Sequence, residues 1–386
     1  MLAPPWLPIP PQGYGGIENV IDALVPELIK LGVEVDLYTA GDTACQATKI
    51  FSLYNDAQYK HIHLPQYESL PISIAHLLYA INMIQKDGNY DIIHDHNGFL
   101  GPAVFSYSTT DLPPVIHTIH GPPFMSGKRL RNGVPDNALM WEQFKDTKRF
   151  YVVGISNALM RYAPKRLKSI TLPPVYNAVD LNKFPFEAKK NGHFITLARF
   201  NPDKGQSIAI RACLELGYQL KMAGTVSDIR TNKKVMLELA NPLSPYRNLL
   251  DFRYFSDQIF PHLLEDQIEY VGEVGGQRKL QFIGKAKALL FPIQWEEPFG
   301  MSVIESLACG TPVIAMAKGA MNEIIEHGVN GFLAKNYEEF KYYIDKVDEI
   351  DPAACRESVR KRFSATTMAQ EYLKRYQRVI QLNQSI

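Results

Sequence analysis

The chain has 386 residues, which is too long for one ordinary hydrophobic core, so we expect two domains. Hydrophobic residues make up 46% and charged residues 21%, a composition typical of a soluble globular protein and not of a disordered one. The formal net charge of +1 at pH 7 gives no reason to expect nucleic acid or a strongly acidic partner.

The apolar runs and the cysteines narrow the class of protein further. No apolar run approaches the roughly 20 residues needed to span a bilayer, although peripheral membrane contact stays open. The cysteines lie far apart without a CxxC pair, which argues against a zinc or disulfide framework. They are Cys45, Cys213, Cys309 and Cys355. We therefore expect a cytoplasmic protein.

The first half of the chain alternates helical and strand patterns. Apolar residues recur at helical spacing over 17–29, where Pro26 predicts a local kink and Gly32 marks the end of the helix. Short apolar runs after this helix predict strands at 33–41, 91–96, 114–121 and 150–156.

The pattern restarts after a polar, proline-bearing stretch near 180–192, which we interpret as an interdomain linker. A helix is predicted at 204–216, and strands are predicted at 193–198, 218–224, 268–274, 287–293 and 311–316. Residues 366–386 form a last helical pattern, which we expect to dock on the first domain. The predicted domains are 1–180 together with 366–386, and 193–365.

Strands that alternate with helices are typical of parallel sheets covered by helices on both faces. The predicted fold class is α/β, with two Rossmann-like, doubly wound parallel-sheet domains facing a central cleft. Ligands of such sheets bind beyond the carboxyl ends of the strands, so functional residues are expected in the loops that follow them.

The stretch EEPFGMSVIE at 296–305 carries carboxylates around the predicted start of a short helix. Glu297 is expected on the preceding loop and Glu305 about one turn inside the helix, while Gly300 lets a ligand approach the backbone closely. The free amides of a helix start attract an anion, and carboxylates accept hydrogen bonds from sugar hydroxyls. This combination suits a sugar nucleotide.

A structural interpretation of the same stretch is also open. The helix is predicted to begin near Met301 or Ser302 and to end at Gly310. Ser302 and Glu305 then have the spacing of a capping box, in which Glu305 would only satisfy the first amide of its own helix.

A second element, LARFNPDKG at 197–205, follows the first strand of the second domain. Arg199 and Lys204 lie on either side of a turn whose mouth is expected to open toward the same cleft. An arginine fork and a lysine ammonium are the side chains best suited to neutralise a diphosphate. For either residue alone, an ordinary surface cation is the default interpretation.

The first domain offers weaker signals. Gly13, Gly15 and Gly16 precede the first helix and predict a backbone-amide anion site, although their spacing is not that of a dinucleotide fingerprint. His120 lies at a strand end beside Gly121, where it could contact a sugar hydroxyl. A lone histidine in that position is more often packed or solvated.

With these elements in order, the chain resembles the retaining glycosyltransferases of family four, which have the GT-B fold. The resemblance covers nearly the whole length and is strongest at 296–315, which is similar to the E-x7-E signature of that family, and next in ARFNPDKG. VGISNA, VYNAVDLNKF, GVNGFLA and the returning C-terminal helix are also typical. Such proteins usually begin with several more strand residues, so we expect a nearly absent first strand, whether the chain starts late or is truncated.

The resemblance implies a role for each candidate residue. Arg199 and Lys204 would bind the donor diphosphate, Glu305 would accept the ribose hydroxyls, and Glu297 would contact the donor sugar. Other residues would complete the donor site: His120 at the donor sugar, Phe299 and Gly300 around the sugar pocket, Val274 at the nucleobase, and the amides of Gly16, Met301 and Ser302 at the diphosphate.

The implied reaction moves a hexose from a nucleotide-diphosphate sugar, most often a UDP-sugar, to an unknown hydroxyl acceptor on the same face. No cofactor is implied, and the chain lacks a D-x-D metal clamp. The acceptor is a small molecule, a glycan or a glycolipid. The polar loop at 124–137, with Lys128, Arg129 and Arg131, could contact it.

Two alternative functions remain at this stage. A sugar-nucleotide epimerase would keep the fold and change the reaction. A metal-dependent hydrolase would instead use ligands at the ends of two strands, since His94 and His96 share one face of a strand. Its candidate ligands are His94, Asp95, His96, His117 and His120.

Overall fold

A computed structural model describes residues 1–11, 13, 15–62, 64–107, 112–121, 124, 137–144 and 149–384. The chain divides into two compact units, Met1–Val179 with Ser364–Ile386 and Asp180–Phe363. Lys128, Arg129 and Arg131, which the sequence suggests for contact with an acceptor, lie outside the described residues.

Parallel strands form the centre of the first unit, and every residue of its third, fourth and fifth strands is buried. Burial on both faces is expected where helices cover a parallel sheet. The strands are β1 (Asp36–Tyr38), β2 (Lys49–Phe51), β3 (Ile93–Asp95), β4 (Val115–Ile119), β5 (Phe150–Gly154) and β6 (Thr171–Leu172). β1 pairs with β2, and β3 to β6 are neighbours in that order.

Residues 1–3 lie between β1 and β3. Leu2 forms isolated parallel bridges to Tyr38 on one side and to Asp95 on the other. Its N–H donates to the carbonyl of His94 at 2.8 Å, and its own carbonyl accepts from the N–H of His96 at 3.0 Å. The strand expected before the first helix is therefore reduced to the single bridging residue Leu2, in agreement with the sequence, which predicts that this strand is nearly absent.

The helices of the first unit cover this sheet. They are α1 (Gly16–Lys30), α2 (Gln66–Asp87), α3 (Leu100–Phe105), α4 (Asn137–Glu142) and α5 (Asn157–Met160). α1 buries the apolar face that its sequence period predicts, including Val20, Leu24 and Leu28. The helix runs without a break through Pro26, the position at which the sequence predicts a kink.

The second unit contains one sheet of six parallel strands in the order β12-β11-β10-β7-β8-β9. Its strands are β7 (Phe194–Leu197), β8 (Leu220–Ala223), β9 (Ile268–Tyr270), β10 (Leu289–Phe291), β11 (Val313–Met316) and β12 (Gly331–Ala334). The chain starts at β7, moves outward to β9 and returns at β10 beside β7. The strand order therefore reverses between β7 and β10, as in a doubly wound fold.

Eight helices are described for the second unit. They are α6 (Gln206–Leu216), α7 (Asn232–Ala240), α8 (Leu250–Gln258), α9 (Gly276–Gly284), α10 (Met301–Ala308), α11 (Met321–Ile324), α12 (Tyr337–Asp345) and α13 (Pro352–Arg362). A short 3-10 helix, Pro202–Lys204, precedes α6.

The stretch 180–192, predicted as a linker, is packed onto the second unit instead. Lys190 Nζ donates to the carbonyls of Gly284 at 2.9 Å and Cys309 at 3.2 Å, and to Thr311 Oγ1 at 2.9 Å. These groups lie at the C-terminal ends of α9 and α10, where free carbonyls attract a cation. Burial lowers the pKa of Lys190 to about 8. Residues 180–192 are therefore not a free interdomain linker, although their composition is polar.

The last helix, α14 (Ala365–Gln384), belongs to the first unit and packs against α1. Two of its buried tyrosines bond to the strand ends of the sheet. The hydroxyl of Tyr376 lies 2.7 Å from His94 Nδ1, and that of Tyr372 lies 2.9 Å from Thr118 Oγ1. The C-terminal segment therefore supports the edge of the sheet that carries the histidines.

The described part of the chain contains no helix with both the length and the apolar character needed to cross a membrane. All four cysteines are buried and free. This agrees with the absence of a disulfide framework expected from their spacing.

Candidate active site

The residues singled out in the second unit lie in loops after neighbouring strands. Arg199 and Lys204 follow β7, and Glu297 follows β10, which pairs directly with β7. The strand order reverses between these two strands, so their loops diverge and leave a crevice at the carboxyl edge of the sheet. The topology therefore brings the predicted cations and carboxylates to one place.

The loop after β7 is shaped by two local devices. The side chain of Asn201 accepts the N–H of Lys204 at 3.0 Å and so caps the 3-10 helix. Gly205 has φ +67°, and a Cβ there would lie 2.2 Å from the carbonyl oxygen of Pro292. Gln294 N donates to the carbonyl of Asp203 at 2.7 Å. The two loops are thus packed backbone to backbone.

Lys204 and Glu297 form an ion pair within this crevice. Lys204 Nζ lies 2.6 Å from Glu297 Oε2, although the two residues are 93 positions apart. The indole N–H of Trp295 donates to the same oxygen at 2.7 Å. Glu297 is only 7% exposed, so its charge is compensated by groups that the fold supplies.

Arg199 does not join that pair in this structure. Its guanidinium Nε lies 3.6 Å from Asp251 Oδ2, and the side chain is 58% exposed. Since arginine is long and flexible, a ligand in the crevice would compete with Asp251 for it. The predicted arginine–lysine pair is therefore divided between two carboxylates.

The N-terminus of α10 has the form that an anion site needs. Gly300 is the N-cap residue with φ +95°, and as a glycine it provides no side-chain cap for the first amides. Met301 and Ser302 are the first two helical residues, so their N–H groups have no partner within the helix. Phe299 is buried and packs against Phe363, which anchors the turn. The amides are available to a ligand.

The capping-box interpretation of Ser302 and Glu305 is wrong. The N-cap residue is Gly300, which adopts a left-handed conformation. Ser302 is therefore the second residue of the helix and not its cap. Glu305 Oε1 accepts instead from Lys279 Nζ at 2.7 Å. Glu305 is 6% exposed and turns toward α9, away from the amides of its own helix.

The loop between β9 and α9 adds a further wall at the same edge of the sheet. Val274, which the sequence suggests beside the nucleobase, is buried there. The N–H of Glu273 donates to the carbonyl of Arg230 at 2.8 Å, so this loop is tied to the one after β8. Lys279 follows on the first turns of α9.

In the first unit, Gly15 is the N-cap of α1 and Gly16 its first residue. A Cβ at Gly15 would lie 2.6 Å from Pro11 Cγ, so the turn needs glycine there for space. Glu18 lies in the first turn and is buried, and that burial raises its pKa to about 7.

His120 follows β4 and contacts a second histidine. Its Nε2 lies 2.9 Å from His96 Nδ1, and burial lowers the pKa of His120 to about 3. Both rings line a pocket together with His117, Thr118, Gly121 and Trp141. His120 is therefore a neutral hydrogen-bonding group at the end of its strand, not a cation.

The same geometry removes the support for a metal-dependent hydrolase. Both ring nitrogens of His94 are engaged, Nδ1 with Tyr376 and Nε2 with Thr118 Oγ1 at 2.7 Å. His117 Nδ1 bonds to Asp95 Oδ2 at 2.6 Å. Within the described ranges, no group of three or more His, Cys, Asp or Glu side chains is arranged to hold a metal ion.

Sequence reasoning missed two residues of this site, Trp295 and Lys279. Trp295 directly precedes the quoted motif at 296–305, and an indole two positions before a carboxylate was a usable signal. Lys279 lies 26 residues before Glu305, and only the sheet topology brings it close. Gly15, Gly16 and His120 belong to the first unit, and the remaining candidates to the second.

Two family models match successive parts of this chain. The model described as Glycosyltransferase Family 4 matches residues 14–183, and the one described as Glycosyl transferases group 1 matches residues 180–362. Both models describe glycosyltransferases, and together they span nearly the whole chain, so the protein is a glycosyltransferase. It belongs to family four, as the sequence resemblance predicts.

Individual relatives agree with this family. An uncharacterized glycosyltransferase of Methanocaldococcus jannaschii is 26% identical over 294 residues, 74% of each chain. A D-inositol 3-phosphate glycosyltransferase of Paenarthrobacter aurescens is 23% identical over 374 residues, 91% of this chain and 88% of the relative. The Anabaena protein HepE, solved with UDP-glucose, has a TM-score of 0.62 at 17% identity and 97% coverage of both chains. This likeness shows the GT-B fold of two Rossmann-like domains.

Proposed function

We propose that this enzyme transfers a hexose from a UDP-sugar to a hydroxyl acceptor with retention of anomeric configuration and without a metal ion. The observation that carries the proposal is the Lys204–Glu297 pair, at the switch point beside the free amides of α10. A cation and helix amides suit a diphosphate, and a buried carboxylate suits the hydroxyls of the sugar attached to it.

In the proposed complex, the diphosphate lies against Lys204, Arg199 and the amides of Met301 and Ser302. Arg199 reaches the diphosphate by exchanging Asp251 for a phosphate oxygen. The other contacts follow the position of each group in the second unit: Glu305 accepts from the ribose, Val274 packs on the base, Phe299 and Gly300 shape the sugar pocket, and Glu297 contacts the donor sugar.

The proposed chemistry takes place on one face of the sugar. The bond between the anomeric carbon and the diphosphate oxygen breaks first and leaves an oxocarbenium-like sugar. The acceptor oxygen then bonds to the same carbon, and its proton passes to the departing diphosphate oxygen. Negative charge develops on the diphosphate, so the α10 amides and Lys204, once the lysine has turned to the diphosphate, lower the barrier.

The choice of uridine rests on the family resemblance and on the UDP-glucose complex of the Anabaena neighbour. The acceptor is a hydroxyl compound of unspecified class. A panel of UDP-, GDP- and ADP-sugars, tested by thermal shift and then by isothermal titration, identifies the donor. Acceptor screening with the best donor follows, with the anomeric configuration of the product read by NMR. Inverted product would contradict retention.

Replacing Lys204 by alanine tests the carrying observation. We expect turnover to fall roughly 100- to 1000-fold, because one preorganised charge opposite the leaving group is lost. Lys361→Ala, an exposed lysine on α13, is the matched control and should keep wild-type turnover. Unchanged turnover of the Lys204 variant would overturn the assignment.

Two further readouts of the same assay test the rest of the proposal. Activity that disappears in EDTA and returns with a divalent cation would contradict metal independence. Free epimerised nucleotide formed without an acceptor would favour the epimerase alternative.

A further inference from the structure

Trp295 touches both members of the central ion pair. Its Nε1–H donates to Glu297 Oε2 at 2.7 Å, the oxygen that Lys204 Nζ also contacts at 2.6 Å. Lys204 Nζ also lies 5.1 Å from the centroid of the Trp295 ring and 5.8 Å from that of Phe291. One aromatic side chain thus contacts the carboxylate through its edge and the ammonium through its face.

The two contacts on Glu297 respond differently to a donor. Phosphate oxygens compete with the carboxylate for the three N–H donors of Lys204, so that contact weakens when a diphosphate enters the crevice. The indole N–H can only donate and does not titrate. Because it is neutral, the diphosphate attracts it less strongly than it attracts the ammonium of Lys204. After the lysine has turned to its ligand, Trp295 still holds Glu297 Oε2.

The backbone around Trp295 is held on both sides. Gln294 N donates to the carbonyl of Asp203, and Lys318 Nζ donates to the carbonyl of Gln294 at 3.3 Å. The carbonyl of Glu297 accepts from the N–H of Ala320 at 2.9 Å. The indole is therefore presented by a loop tied to both neighbouring loops.

We propose that Trp295 is a positioning residue for the donor sugar. Its N–H keeps Glu297 oriented so that Oε1 accepts from a sugar hydroxyl, and its ring keeps the ammonium of Lys204 near the diphosphate. This inference rests on the proposed function of the same site. It separates the two properties of one side chain: the N–H acts on the sugar, and the ring acts on the diphosphate.

Two substitutions divide these properties. Trp295→Phe removes the N–H and keeps an aromatic face, whereas Trp295→Leu removes both. Isothermal titration with UDP and with UDP-glucose reports the diphosphate and the sugar separately. For Trp295→Phe we expect the Kd of UDP to stay within about twofold and that of UDP-glucose to rise about tenfold, since a hydrogen bond to a charged group is misplaced. For Trp295→Leu, the Kd of UDP should also rise several-fold.

A double-mutant cycle with Glu297→Gln shows whether Trp295 acts through Glu297. The ratio of the two dissociation constants should not change further when Trp295→Phe is added to Glu297→Gln, because the group through which it acts is already altered. A purely structural role would weaken UDP and UDP-glucose equally in both backgrounds. That result, or an unchanged ratio in Trp295→Phe alone, would overturn the inference.

Failure of this inference is distinguishable from failure of the proposed function. If the wild-type protein binds no nucleotide or nucleotide sugar, the proposed function fails and the inference fails with it. If the wild type binds and Trp295→Phe leaves the ratio unchanged, only the inference fails. If the panel selects another base, the same comparison uses that diphosphate and its sugar.

Discussion

Glu297 and Glu305 each contact one lysine, at 2.6 Å for Lys204 and 2.7 Å for Lys279. Both carboxylates are less than a tenth exposed. A buried carboxylate without a partner is costly, so each lysine contributes to folding as well as to the charge of the crevice. The proposed donor site is therefore already neutralised within the protein, and a ligand there would have to exchange with these internal partners.

Lys279→Met tests the second of these pairs. The substitution keeps the length of the side chain and removes its charge, so Glu305 loses its orienting partner. We expect the Kd of UDP to rise about tenfold, because the proposed ribose contact depends on that carboxylate. We also expect a loss of about 1–2 kcal/mol in unfolding free energy, below the value for a fully buried pair because Lys279 is partly exposed.

Titration calorimetry and urea unfolding measure the two effects. Lys285→Met, an exposed lysine just after α9, is the matched control and should change neither quantity. A Lys279 variant that binds UDP as tightly as the wild type would show that Glu305 does not depend on this lysine for its contact.

At the level of single residues, predictability from the sequence depended on the local pattern around each residue. Lys204 and Glu297 are predicted as site residues because each lies in a recognisable turn after a strand. Lys279 is not, since it lies in the first turn of α9, where no such pattern marks it. Arg199 shows the opposite limit: its residue type predicts a diphosphate contact, but only the structure shows that Asp251 holds it.

Among the elements, the strand cores were predictable and their ends were not. The pattern at 268–274 predicts seven residues, whereas β9 ends at Tyr270. Gly272, with φ +79°, lies in the departing loop, so the apolar pattern continues where the strand pairing has stopped. At α10, sequence spacing suggested a capping box, and the glycine cap removed it because a left-handed N-cap places Ser302 within the first turn.

The loop after β11 packs against the backbone of Glu297, and Gly319 is the residue of this loop that approaches it closely. The N–H of Gly319 donates to Glu296 Oε2 at 2.9 Å. A Cβ at this position would lie 2.3 Å from both the backbone N and O of Glu297, and φ is +55°. Only glycine allows the two backbones to approach so closely.

Gly319→Ala should therefore displace Glu297 without touching any ligand group. We expect turnover to fall at least about tenfold and unfolding free energy to drop by about 1–3 kcal/mol, from steric contact plus backbone strain. Gly328→Ala is the matched control: its φ is +79°, but a Cβ there meets nothing within 4 Å. Gly328→Ala should lose about 1–2 kcal/mol of unfolding free energy and keep its turnover. Equal turnover of the two variants would argue against support of Glu297 by this loop.

For the whole molecule, alternation of strands and helices was enough to predict two Rossmann-like domains. It was not enough to place the stretch 180–192, because polar residues also occur where a cation such as Lys190 caps helix ends. The central position beside β1 and β3 is filled by residues 1–3, whose pairing depends on neighbours that local sequence does not reveal. Long-range pairing, not residue type, decides these features.

Acid sensitivity is another property of the whole molecule, and it is unevenly distributed. Burial lowers the pKa of four histidines, all in the first unit: His76, His94, His96 and His120. Each binds a proton more readily in the unfolded chain than in the folded one, so its contribution to stability is lost as pH falls below about 6.5. Glu18, whose pKa is raised to about 7, has the opposite sign and gains stability over the same range.

The buried histidines outnumber the one glutamate, and burial also lowers the pKa of the Met1 amine to about 5, so the unfolded first unit binds more protons than the folded one as the pH falls from about 6.5 to 5. We therefore expect the first unit to lose protection before the second when the protein is brought from pH 7.5 to pH 5. Hydrogen exchange read by mass spectrometry, corrected for the pH dependence of the intrinsic rate, compares peptides covering β3 and β4 with peptides covering β7 and β8. The second unit is the internal control, since His193 is its only described histidine with a lowered pKa and is partly accessible. Equal loss of protection in both units would mean that the buried histidines are already compensated on protonation.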